Sequence, residues 1–141
     1  MIKISGLCST FGGPDDLGMS ESEGLAFVYE IMDAPHLFLP YQPEGTTGLA
    51  RRLNPHVHYI AARFDYSQIS KKELLVATAT LYNPRTKILM EGCFCADWGP
   101  GEQTGRALDL SPSLARDLGL TTDDFVEAEI YKQGEEDEMI A

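Results

Sequence analysis

A small, mainly β barrel is the fold this sequence predicts, on three observations. About six short runs alternate apolar with polar residues or are rich in Val, Ile, Thr and Tyr, as half-buried strands are. Only one stretch, 111–118, carries a full set of helix signals. The connections are long, and helices do not alternate with strands, which argues against a parallel α/β sheet.

Taken in order, residues 2–8 (IKISGLC) read as the first strand. Ser9 to Asp16 (STFGGPDD) is turn chemistry, and Leu17 to Glu23 a polar loop. Residues 25–32 (LAFVYEIM) read as a strand, because Gly24 precedes them and Val28, Tyr29 and Ile31 favour extended backbone. Residues 33–47, with Pro35, Pro40, Pro43 and Gly45, form an irregular connection of a length that often serves function. Residues 48–54 (GLARRLN) give one or two helical turns stopped before Pro55, with Arg51 and Arg52 on a solvated face. His56 to Phe64 alternates as a strand; Val57, Tyr59 and Ala61 share one face, and His56, His58 and Ile60 the other. The two histidines are expected to face solvent.

Residues 71–82, containing LLVATATLY, give the strongest strand signal. Asn83-Pro84-Arg85-Thr86 is a hairpin-type turn, and 87–96 the returning strand. Ser111 and Pro112 start the helix, Leu114, Ala115 and Leu118 form its apolar stripe, and Gly119 stops it. Phe125 to Tyr131 alternates apolar and acidic residues, as a closing strand with one wet face does. The chain reads as one domain over 1–132 with an inserted loop region at about 33–55. Residues 133–141 read as an acidic disordered tail.

A chain of 141 residues buries roughly two-thirds of its unfolded surface and needs no disulfide or metal staple. Eleven basic against twenty-two acidic residues give a net charge of −11. That excludes nucleic acid and anionic membrane as main partners, since both need a cationic footprint. No run reaches the ~18 apolar residues of a membrane span. The first residues lack the basic and apolar regions of a signal peptide. The expectation is a protein cytoplasmic as synthesised, reaching a cell wall only through a phage or secretion system. Cys8, Cys93 and Cys95 are an odd set, which fits a reducing compartment, and they read as small buried thiols. No metal or cofactor is expected: no second Cys or His pair stands at zinc-site spacing, and no Lys follows Gly12-Gly13 as in a phosphate loop.

The chemistry concentrates in 93–119, CFCADWGPGEQTGRALDLSPSLARDLG. A strand-like run ends in Asp97-Trp98-Gly99-Pro100; a polar, glycine-rich loop follows; Arg106 to Ser111 then leads into the helix. A carboxylate at a strand end, beside an indole and a Gly-Pro turn, suits a surface cleft. Asp97 also reads as a cap for that turn. Arg106 and Asp109 are three apart and read as groups that pair and hold the fold.

The run from Leu74 to Leu120 resembles the RlpA-like (rare-lipoprotein-A-like) double-psi β-barrel, a module shared with expansins and some endoglucanases. The resemblance rests on Thr80-Leu81-Tyr82-Asn83-Pro84, Asp97-Trp98-Gly99-Pro100, Gly105 to Ser111 (GRALDLS) and Leu118-Gly119. Ser9-Thr10-Phe11-Gly12 is similar to the family's opening Ser-Trp-Tyr-Gly. The resemblance implies a six-stranded double-psi β-barrel whose groove binds a glycan strand, peptidoglycan among them. It implies Asp97 as general acid and Thr10, Phe11 and Trp98 as substrate-binding. Gly99, Pro100, Arg106 and Asp109 would be structural at the site.

Three departures from the family pattern stand out. Arg63 follows Ala61-Ala62 where lytic transglycosylase members have His; Arg52 stands where they have Glu; and Trp98 replaces Arg. Arg63, Asp65 and Tyr66 are therefore candidate replacement groups at the groove. Asp65, Asp15 and Asp16 are candidate second carboxyls, since inverting hydrolysis needs a pair ~6.5–9.5 Å apart. The reading is a glycan-binding or remodelling barrel, with a degenerate lytic transglycosylase or hydrolase using Asp97 as its enzymatic form; the alternative is a non-enzymatic assembly module with a protein partner. The departures favour the non-catalytic binding barrel and the assembly module over the enzyme.

Overall fold

Six strands close into one barrel in the order β1-β5-β2-β4-β3-β6: β1 (Ile2–Thr10), β2 (Tyr59–Ala62), β3 (Thr78–Asn83), β4 (Ile88–Trp98), β5 (Leu108–Leu110) and β6 (Phe125–Tyr131). This computed structural model describes residues 1–135. The pairs β1/β5 and β2/β4 are parallel, and the other four are antiparallel. The mainly β, closed six-stranded barrel expected from the sequence is the fold. Cys8, Ile60, Ala62, Ala79, Leu81, Cys93, Cys95, Leu108, Leu110, Val126, Ala128 and Ile130 are buried in its core. The three thiols are free.

Helix α3 (Pro112–Leu118) forms as its signals predict. The Ser111 hydroxyl accepts the Leu114 N–H, Pro112 opens the first turn, and Gly119 ends the helix at φ 71°. Two shorter helices accompany it: α1 (Leu49–Arg52), within the helical turns expected at 48–54, and α2 (Lys71–Leu74), which the sequence reading did not expect. Helix α2 falls inside the run read as a continuous strand. Ser70 and Glu73 make a reciprocal capping box, which turns that start into a helix before β3 begins at Thr78.

Residues 25–32 are not a strand. Leu25, Phe27 and Val28 are buried, with Phe27 edge-on to Phe64 at 6.2 Å, but the backbone finds side-chain partners instead of a ladder. Ala26 N–H donates to Asp97, and Tyr29 and Glu30 N–H both donate to Asp33 Oδ2. The sixth strand is instead β5, three residues in the segment read as a lead-in to α3. The inserted region contains 3-10 turns at Ile31–Asp33 and Pro35–Leu37, α1, and a bridge from Phe38 to Leu53.

Arg51 and Arg52 do not form a solvated face. Arg51 donates to the carbonyls of Pro14, Asp16 and Met19, and Arg52 to those of Leu39 and Pro40. His56 is exposed, but His58 is half-buried against Asp117 at 2.8 Å. At the C-terminal end Glu135 accepts the Lys132 N–H and pairs with the Met1 ammonium, so the tail does not begin at 133. Residues 136–141, the rest of the expected tail, lie outside the described residues.

Candidate functional site

A row of side chains crosses four strands at one level. In register, Ser9 on β1 pairs with Asp109 on β5, Asp109 with Ala61 on β2, and Ala61 with Asp97 on β4. Register partners point to the same face of a sheet. Two carboxyls therefore flank a methyl group, with Cα atoms about 10 Å apart at the ordinary strand spacing.

A β-bulge puts Asp97 in this row. Ile60 pairs with Cys95 but Ala61 pairs with Asp97, leaving Ala96 as the extra residue of β4. Strict alternation would send Asp97 to the face of Cys93 and Cys95, inside the barrel. One unpaired alanine reverses that and aims the carboxyl outward.

The row forms part of the wall of an open groove of about 350 Å³. Phe11, Glu23, Trp98, Pro100, Thr104 and Arg106 complete much of the lining. Thr10, Phe11 and Asp16 also line a neighbouring cavity of about 290 Å³ walled by Asp15, Leu17, Pro55 and Pro112, so the two spaces share a wall. Gly12 holds this wall close. Its φ of 85° is left-handed, its N–H donates to Asp16 Oδ2, and an added Cβ would collide with Tyr59 and Leu53.

Both carboxyls are pushed up to about 6. Burial is the main cause for Asp97, reinforced by Glu23 and opposed by two N–H donors to Oδ1, from Ala26 at 2.7 Å and Trp98 at 2.8 Å. For Asp109 burial again leads; Arg106 lowers it, and Asp16 and Asp97 raise it. The two differ in anchoring. Asp97 Oδ1 is fixed by the backbone while Oδ2 makes no hydrogen bond among the described residues. Asp109 makes no side-chain hydrogen bond among the described residues, and its carboxyl fronts the groove.

Of the residues expected at the site, Asp97, Trp98, Thr10, Phe11, Gly99, Pro100, Arg106 and Asp109 come together in the groove lining. The Gly99–Pro100 peptide bond is cis. Arg106 and Asp109 do not pair with each other: Arg106 Nε donates to Asp123 at 2.9 Å. Asp109 is a groove carboxyl as well as a strand residue.

Arg63, Asp65 and Tyr66 stand outside the lining. Arg63 donates to the carbonyls of Pro100 and Arg106 and so ties down the two ends of the 100–106 loop. Asp65 is exposed and accepts from Ser67, which holds its carboxyl below the ordinary value. Tyr66 lies close enough to Asp97 for the carboxylate to raise its hydroxyl pKa, though burial is the larger cause. Asp16 reaches the groove, but both its oxygens accept loop N–H groups, from Gly12 and Gly18.

Sequence reasoning missed Asp109 as the second carboxyl and Glu23 as a wall residue. The alternation Leu108-Asp109-Leu110 is the signal that could have found the first. Among the described residues no group of three or more acidic, His or Cys side chains is arranged to hold a metal ion, and no helix is long and apolar enough to cross a membrane. No protein-family model matches the chain, and no curated protein matches it in sequence.

Proposed function

We propose that the groove binds a glycan strand, peptidoglycan, and remodels it with Asp97 as general acid and Asp109 as the second carboxyl. The observation that carries this reading is the carboxyl pair across Ala61 in the wall of an open groove, both members ionising near pH 6, so that one can hold a proton while the other has lost it. A separation of one intervening strand suits the ~6.5–9.5 Å that leaves room for water between acid and base. Asp97 gives the proton on Oδ2 to the glycosidic oxygen as its bond to the anomeric carbon breaks. Ionised Asp109 takes a proton from the water that attacks that carbon. Trp98, 42 % exposed, offers an indole face for a pyranose ring.

Muropeptide release from purified sacculi, read by mass spectrometry, tests this. Wild type is expected to yield reducing-end products, and Asp97→Asn and Asp109→Asn each to lower the yield by about 10²–10⁴-fold. One observation favours a second reading, a binding module without chemistry: Asp97 Oδ1 latches the 25–30 segment through Ala26 N–H. That reading takes over if no protein yields products while all pellet with sacculi. Neither products nor pelleting would leave a scaffold, with Asp97 as a turn and latch residue.

A further inference from the structure

We infer that Tyr29, Tyr66 and Lys71 form a second sugar-binding subsite, adjoining Trp98, that selects a carboxylate-bearing glycan. The inference rests on the glycan reading of the groove and names which glycan it takes.

Tyr29 is 72 % exposed and Tyr66 40 %. Two exposed aromatic rings that share one ammonium form a contiguous patch, and such patches mark binding sites where single exposed rings do not. The segments that bear the two rings are tethered to Asp97 and to its neighbour Trp98. Ala26, three residues before Tyr29, donates to Asp97, and Trp98 Nε1 donates to the carbonyl of Phe64, two residues before Tyr66. The Phe27–Phe64 contact joins the two segments.

Lys71 joins the rings from α2. Its ammonium lies 5.9 Å from the Tyr29 centroid and 5.3 Å from that of Tyr66, and donates to the Tyr29 hydroxyl at 3.4 Å. Among the described residues it forms no salt bridge, although the chain carries twenty-two acidic residues. The Tyr66 ring and the Tyr29 hydroxyl hold the cation without neutralising it. A protein of net charge −11 repels an anionic glycan, and this un-neutralised ammonium offsets that repulsion locally. A pyranose ring stacked on the open face of Tyr29 would place a carboxylate substituent near the ammonium at the ring's hydroxyl edge. A neutral sugar gains only the stacking.

Calorimetric titration of the full chain with two probes of equal length tests this, a peptide-free peptidoglycan tetrasaccharide whose lactyl carboxylates are free and neutral chitotetraose. Wild type is expected to bind the acidic probe more tightly. Lys71→Gln should weaken the acidic probe about 5- to 10-fold and leave chitotetraose unchanged, while Lys71→Arg restores the difference. Tyr29→Ala should weaken both. If Lys71→Gln and Tyr29→Ala change neither affinity while Trp98→Ala weakens both, the subsite is overturned and the groove reading survives. If wild type binds neither probe, both fall together.

Discussion

The two halves of the barrel are built differently. The side made by β3, β6 and the first residues of β1 is wholly antiparallel. β1 and β6 run in register over six pairs from Ile2 to Leu7, and β3 and β6 over five from Thr78 to Tyr82. The other side, β5, β2 and the last turn of β1 and β4, is joined by the two parallel pairs, and its central strands have only three and four residues. The long antiparallel ladders carry stability, and they bury Thr80, Asn83 and Glu129 along with their apolar residues. The short strands are brought together by crossovers, so long loops must cover them, and those loops make the groove. Stability and the candidate chemistry therefore occupy different seams of one barrel.

Substitution of Leu81, fully buried on β3, tests the stable seam with the largest expected effect. Leu81→Ala should cost about 3 kcal/mol by lost transfer energy and a residual cavity, read as a lower urea midpoint. Glycan binding should survive wherever the variant is still folded. A loss of binding in the folded variant would show that the two seams are not separable.

Next comes the loop that walls the groove. Arg51→Ala should cost about 2 kcal/mol, because three carbonyls of the 14–19 loop lose a charged donor. Hydrogen exchange should rise in 12–23 and stay unchanged in β3 and β6. Uniform loss of protection would mean that Arg51 supports the whole barrel.

The smallest effect sharpens the comparison most, because its sign differs from an ordinary substitution. Asp109 ionises near 6 in the folded chain against an ordinary value of 3.8. The folded state thus binds more protons between those values, and stability falls as pH rises through that window. Asp109→Asn should be more stable than wild type by about 1–2 kcal/mol at pH 8, with the partial exposure of the group allowed for. At pH 3.5, where both states hold the proton, the gain should vanish. Destabilisation at pH 8 would place Asp109 in a favourable ion pair and out of the proposed mechanism.

Elements with a local cause were legible. The alternation in 125–131 specified β6, and Ser111, Pro112 and Gly119 specified α3, because capping and turn chemistry act over a few residues. The Ser70–Glu73 capping box was equally local and was hidden by the apolar run behind it. The reading of 25–32 as a strand failed for a reason that lies elsewhere in the chain. Its N–H groups are taken by Asp97 and Asp33, and an apolar extended segment without a neighbouring strand looks the same in sequence as one with it.

By itself, then, the sequence determined a β-rich barrel, a glycine- and proline-marked turn at 97–100, and the concentration of polar side chains around it. Tertiary structure decided which way those side chains face. The bulge at Ala96 exists only because β2 runs beside β4, and the Asp97–Ala61–Asp109 row only because β2 is shared by both carboxyl-bearing strands. Their raised pKa values follow from burial by loops far along the chain. Propensity and capping are properties of neighbours in sequence; register, desolvation and the distance between two charges are properties of neighbours in space.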